Sequence, residues 1–328
     1  MGNCFAQSKK STAEIAPYDS IRRFKPVPVV PTVRLYGSAS STLAAYIRFA
    51  LLHKNLPLQF VPTDKPPCDG EPLLLEIGSE TVSGYRETLL QFIEDKFPHP
   101  PLGFNMVDTT PLTVQVTWLQ HRSITWHLER MVRWAEDLST RGGRRTVDPA
   151  VGSPRMELRK FGKNYSQLLE LMVEHAQMEE RVVFPVLEMA DRGLCKSANE
   201  EHARDLPVMN GIKEDIKSIG VMDYGTPAYH EGLSNLSTRL KSLQKHCKEH
   251  FDEEEKDLLP LIEATELSEE QQTRVFEQCF DAMKATHSHL LNFFLEGLLP
   301  SEAMEYVDLI NKCSDKERTA SMIQMIAK

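Results

Sequence analysis

Two hydrophobic patterns divide the chain. Between residues 32 and 103, short apolar runs alternate with amphipathic stretches. Val33–Tyr36 reads as a strand that stops at Gly37, Leu58–Val61 as a second, Leu73–Ile77 as a third and Glu80–Ser83 as a short fourth. Between them, Ala44, Ile47, Ala50 and Leu51 recur at helical spacing behind Ser41 and Thr42, which supply N-cap hydroxyls. A second helix is predicted over 85–97 and is broken by Pro98–Pro101.

From about residue 112 the period changes to helix alone. Helices are predicted over 112–139, 156–191, 198–219 and 233–263. The intervening stretch 140–155 contains Gly142, Gly143 and Pro149, and 220–232 contains Gly220, Gly225 and Pro227, so both read as loops. Two or three more helices fill 268–328, with breaks at Gly297–Pro300 and near Cys313–Asp315. The predicted fold class is α+β multidomain. Residues 1–31 form a tail, 32–103 a small α/β domain, 112–267 a four-helix bundle and 268–328 a helical extension.

Composition narrows the function. A net charge of −9 lacks the basic footprint of a nucleic-acid-binding body. The first residues carry no apolar core of signal-peptide length, so secretion is not expected. The six cysteines form no CxxC pair, which suits free thiols in a reducing compartment.

The histidines are more informative, because two segments repeat. His175-Ala-Gln-Met-Glu179-Glu180 runs on to Pro185 and Glu188; His250-Phe-Asp-Glu-Glu254-Glu255 runs on to Pro260 and Glu263. In one 14-residue register the His, both adjacent glutamates, the Pro and the last Glu coincide. His and Glu four residues apart project from one helical face, one turn apart. Both are ligands for divalent first-row metals. Two such helices facing each other place two carboxylates between two metal ions, as in carboxylate-bridged sites of four-helix bundles. The other two helices each add one histidine, His121 and His202. His127 lies six residues beyond His121, about 240° around the helix, and is left out. His246 is one turn before His250 and is a candidate fifth histidine. Glu180 and Glu255 read as supporting groups around the ligands or as a solvated edge.

On these residues, 112–265 resembles the hemerythrin-like (HHE cation-binding) proteins. The resemblance implies a four-helix bundle holding a non-haem di-iron centre. By position, its ligands are His121, His175, Glu179, His202, His250 and Glu254. Histidines and carboxylates without a cysteine cluster suit iron better than structural zinc, with manganese and zinc as alternatives. The expected partners are metal ions and O₂, and the expected role is iron or oxygen sensing, binding or storage.

Residues 33–102 resemble the thioredoxin-like N-terminal domain of glutathione S-transferases. The carriers are Val33–Gly37, the helix 42–55, Glu71-Pro72-Leu-Leu-Leu75, and Ser83 leading into 85–97. Pro72 stands at that family's cis-proline, and Ser83 is what remains of its Glu-Ser pair, since Val82 replaces the acid. Only about ten residues separate the second and third strands, too few for the family's second helix. Ser38, Ser40 and Ser41 are candidates for the activating hydroxyl, although a serine at a helix start is ordinarily a cap. An interaction role for this domain therefore ranks above glutathione transfer.

Met1-Gly2-Asn3-Cys4 matches the start of N-myristoylated proteins, with Cys4 as a palmitoylation candidate, although Ala6 stands where Ser or Thr is preferred. Acylation would hold the protein on the cytoplasmic side of a membrane. The leading reading is a metal-binding protein rather than an enzyme. The alternatives are a glutathione transferase-like or oxygen-activating enzyme, and a metal-free adaptor that works through protein partners.

Overall fold

The computed structural model describes residues 32–39, 41–63, 72–102, 110–141, 153–265 and 267–327. The expectations for Gly2 and Cys4, for Ser40, and for the peptide bond between Glu71 and Pro72 lie outside the described residues.

The first unit forms where the alternating pattern placed it. Its strands are β1 (Val33–Gly37), β2 (Leu58–Pro62), β3 (Leu73–Ile77) and β4 (Glu80–Gly84), and its helices are α1 (Thr42–His53) and α2 (Arg86–Lys96). The sheet order is β2-β1-β3-β4. β1 runs parallel to β2 and antiparallel to β3, and β4 closes a hairpin on β3. Val33, Leu35, Leu73, Leu75 and Ile77 alternate onto one face, where Ile47, Leu51, Leu89 and Ile93 cover them. Ser41 caps α1, its Oγ accepting from Ala44 N at 3.2 Å.

The bundle comprises α3 (Leu112–Arg141), α4 (Pro154–Met178), α6 (Lys196–Val221) and α7 (Pro227–Glu253). Two of these helices start earlier than their apolar stripes predicted. Ser153 and Thr226 cap α4 and α7, each with a proline at the first helical position, where the missing N–H costs nothing. The loop expected over 220–232 therefore shrinks to five residues, 222–226. Gly232 lies inside α7 because a Cβ there would come within 2.9 Å of Ile219 on α6.

The helices predicted over 156–191 and 233–263 are not continuous α-helix. Each opens into one π-helical turn, Glu179–Val183 and Glu254–Leu258, before continuing as α5 (Phe184–Ala190) and α8 (Leu259–Glu263). Phe184 N–H bonds back to Glu179 O, and Leu259 N–H to Glu254 O, one residue further than in an α-helix. The cause is Pro185 and Pro260. A proline in a helix interior lacks the N–H and clashes with the carbonyl four residues back; widening the turn relieves both.

The extension holds four helices rather than two or three: α9 (Glu269–Ala282), α10 (Leu291–Glu296), α11 (Pro300–Lys312) and α12 (Lys316–Ala327). The additional break, around 283–290, is held from outside. The Glu174 carboxylate on α4 accepts from Ala285 N, Thr286 N and Thr286 Oγ1 at 2.6, 2.7 and 2.8 Å. α9 packs on α3 and on the first π turn, while α11 packs on α1. Arg86 forks onto Asp308 at 2.8 and 2.9 Å, and Arg48 donates to Ile326 O at 3.0 Å. The extension thus joins the bundle to the α/β unit. No described helix is long and apolar enough to cross a membrane.

Candidate metal centre

The two repeated His-Glu pairs meet in the middle of the bundle. His175 lies in the last turn of α4 and Glu179 opens the π turn that follows; His250 lies in the last turn of α7 and Glu254 opens the other. His121 from α3 and His202 from α6 complete the set. His121, Glu179 and Glu254 are each no more than 2% exposed.

The donor atoms converge in two groups that share the carboxylates: His121, His175, Glu179 and Glu254, and Glu179, His202, His250 and Glu254. Within each group the donor atoms all lie within 4.8 Å of one another. Glu179 Oε1 is 3.5 Å from His121 Nε2, while its Oε2 lies 3.3 Å from His175 Nε2 and 3.5 Å from His202 Nε2. Glu254 presents Oε2 to His121 Nε2 and Oε1 to His250 Nε2, both at 3.4 Å. Two ligands bonded to one ion at about 2.1 Å, roughly a right angle apart, lie about 3 Å from each other. The observed spacings are close to that.

Each imidazole is held from behind. Nδ1–H of His121 donates to Glu255 at 3.0 Å, of His175 to Gln120 Oε1 at 2.8 Å, of His202 to Glu180 at 3.1 Å and of His250 to Glu201 at 2.7 Å. This fixes the tautomer and turns every Nε2 lone pair inward, the arrangement that orients and strengthens metal-bound histidine. The supports obey the repeat. Glu255 and Glu180 follow the ligand glutamates and reach across to the single histidines of α3 and α6. Gln120 and Glu201 precede those histidines and reach back to His175 and His250. Sequence reasoning singled out Glu180 and Glu255 but assigned no role to Gln120 and Glu201. Their adjacency to His121 and His202 was the available signal. It also passed over Phe251, which stacks on His121 with centroids 4.2 Å apart.

The interior presents polar groups that no other protein group satisfies. His121 Nε2, His175 Nε2, Glu179 Oε2 and both Glu254 oxygens are buried without a hydrogen-bond partner, which native interiors rarely tolerate. His202 Nε2 and His250 Nε2 face each other at 3.0 Å; with both Nδ1 atoms protonated, two lone pairs meet. Burial and the charge of Glu254 push the Glu179 carboxyl up to about 8. Burial alone would push the His121 imidazole down, but the carboxylates of Glu179, Glu254 and Glu255 around it raise it well above the usual range. Burial drives His175 well below it. Cations between the carboxylates and the inward lone pairs would satisfy all of these groups, so the residues present fit a metal pair.

The other candidates fall elsewhere. His246 is on the outer side of α7, its side chain 56% exposed and its Nδ1 3.9 Å from Asp205. It belongs to neither donor group. Although one turn from His250, it sits where the α6–α7 surface opens to solvent. His127 is buried but bonds Phe293 O at 2.7 Å, away from the centre. In the first unit, Ser83 is exposed on β4, and Pro72 precedes β3.

No curated protein and no solved structure matches the chain significantly. Residues 112–262, the span that supplies every donor described above, match the family model of the hemerythrin HHE cation binding domain.

Proposed function

We propose that the bundle binds two iron ions in a non-haem centre and serves in iron or oxygen sensing, binding or storage rather than as an enzyme. The observation that carries this reading is the pair of donor groups sharing Glu179 and Glu254, each with two inward Nε2 atoms. Nitrogen and carboxylate donors with no thiolate among them suit iron. Iron bound there would supply one-electron redox chemistry and coordination positions for O₂. The protein's own part is to hold the four imidazoles in one tautomer and to present two shared carboxylates among them. Because a cation would satisfy buried donors that otherwise need water or protons, metal occupancy is coupled to the order of the helices. That coupling suits a sensor.

The strand order β2-β1-β3-β4, with its parallel first pair, supports a thioredoxin-like reading of the first unit. The replacement of the family acid by Val82 supports an interaction role there instead of glutathione transfer. For Gly2 and Cys4 the proposal is acylation and attachment to the cytoplasmic face of a membrane; Gly2→Ala should then move the protein to the soluble fraction of cells able to acylate, and a soluble wild type would remove the idea.

Metal analysis tests the main reading. Purified protein is expected to carry close to two iron ions per chain, and Glu179→Ala combined with Glu254→Ala to lose them. Unchanged iron content in the double variant would refute the assignment.

A further inference from the structure

The repeat in the sequence implies two equivalent metal positions. The structure makes them unequal. The half built by His121 and His175 is covered by the extension on its His121 side and behind His175. Gln120, which holds His175, donates its own amide N–H to Met283 Sδ at 2.8 Å. Glu174, the residue before His175, anchors the backbone of Ala285 and Thr286. α9 covers α3 and the π turn that begins at Glu179, and Phe251 lies flat on His121.

The half built by His202 and His250 is open on two sides. Both rings line a cavity of about 160 Å³ between α4, α6 and α7, walled by Met172, Ala176, Leu206 and Met209. Leu206, at its rim, is 44% exposed. His250 and its support Glu201 also border a wider depression of about 550 Å³, where Asp205, Glu249 and Glu253 outweigh the one guanidinium, of Arg204. His175 also lines the first cavity, so the contrast between the halves rests on His121, which lines neither. The His202 side chain is 10% exposed against 1% for His121.

We infer that the ion held by His202 and His250 is the exchangeable one, and that the ion held by His121 and His175 is retained as long as the C-terminal extension stays packed. This rests on the two-metal reading above. The physical reason is access. A ligand-bound ion leaves when water or a chelator reaches it, which at the open half needs no helix movement. At the covered half it needs local opening of the segment 283–286, and local openings carry their own free-energy cost. The acidic lining of the depression favours approach of a cation and disfavours an anion. The extension is thereby a clamp on one metal position.

The test uses the full-length chain loaded with cobalt(II), followed by its visible absorption while an uncharged chelator is added. Two phases of one ion each are expected, with rates at least about tenfold apart, the cost of a modest local opening. Anomalous scattering from partly stripped crystals should show cobalt retained at His121 and His175. Leu206→Trp, a change at an exposed rim, should slow the fast phase several-fold and leave the slow one; Leu206→Ala should do the reverse to the fast phase. Glu174→Ala should quicken the slow phase alone. Release of two ions in a single phase, or cobalt retained at His202 and His250, overturns the inference while leaving the two-metal reading intact. A chain that takes up no second ion overturns that reading and this inference with it.

Discussion

Removing metal from this bundle should cost it much of its stability, and the size of the loss can be worked from the buried donors. Five side-chain atoms of His121, His175, Glu179 and Glu254 are buried and unpartnered when no cation is counted. Leaving one buried polar group unsatisfied costs about 1–3 kcal/mol, and more for a charged one. Five of them reach about 5–15 kcal/mol, the same size as the whole stability of a typical domain. The metal-free protein will not bear all of this, because water can enter and Glu179, raised to about 8, can stay protonated. A floor comes from mass action: metal at one hundred times its dissociation constant, bound only by the folded state, adds about 2.7 kcal/mol. For a unit of this size each kcal/mol moves the midpoint by about 2–4 °C. Chelation should therefore lower the melting midpoint by at least about 5–10 °C. Calorimetry or helical circular dichroism, with and without chelator on protein of measured metal content, provides the assay. The decisive control is Glu179→Gln with Glu254→Gln. These isosteres should be as stable as chelated wild type or more so, since they remove the repulsion as well as the ligands. Equal midpoints with and without chelator on loaded protein would refute the reasoning, and so would isosteres that fall well below the chelated wild type.

The remaining predictions concern single groups. Burial lowers His127 and His287 to about 3, so each contributes stability present above its unfolded value near 6.5 and lost as pH falls toward 3, about 2 kcal/mol by pH 5; His287→Gln should flatten this acid limb in metal-free protein, and an unchanged pH profile would count against it. His246→Ala should leave metal content unaltered, because its side chain is exposed and outside both donor groups; loss of an ion would restore it as a ligand. Calorimetry with glutathione should detect no micromolar binding to the full chain, given Val82 in place of the acid; such binding would revive the transferase reading.

What the sequence determined by itself was whatever one element decides alone. The four strands and two helices of the first unit follow from period, cap and breaker, and their boundaries agree with the structure to within one or two residues. The ligand spacing is likewise local: four residues bring His175 beside Glu179 and His250 beside Glu254 in any helix. Even the π turns, which a reading by apolar stripe missed, were legible in principle from Pro185 and Pro260. What only the tertiary structure decided was every relation between elements. Helical period places His246 on the same face as His250, yet the α6–α7 packing leaves one in solvent and the other in the centre. The roles of Gln120 and Glu201 exist only because α3 lies against α4 and α6 against α7. The break at 283–290 needs the Glu174 carboxylate, over a hundred residues away. Above all, the repeat makes the two halves of the centre look alike, and nothing in either copy says that an extension beginning after residue 268 will cover one of them. A repeat records what a segment does to itself; burial depends on which other surface arrives, and that is settled only when the chain packs.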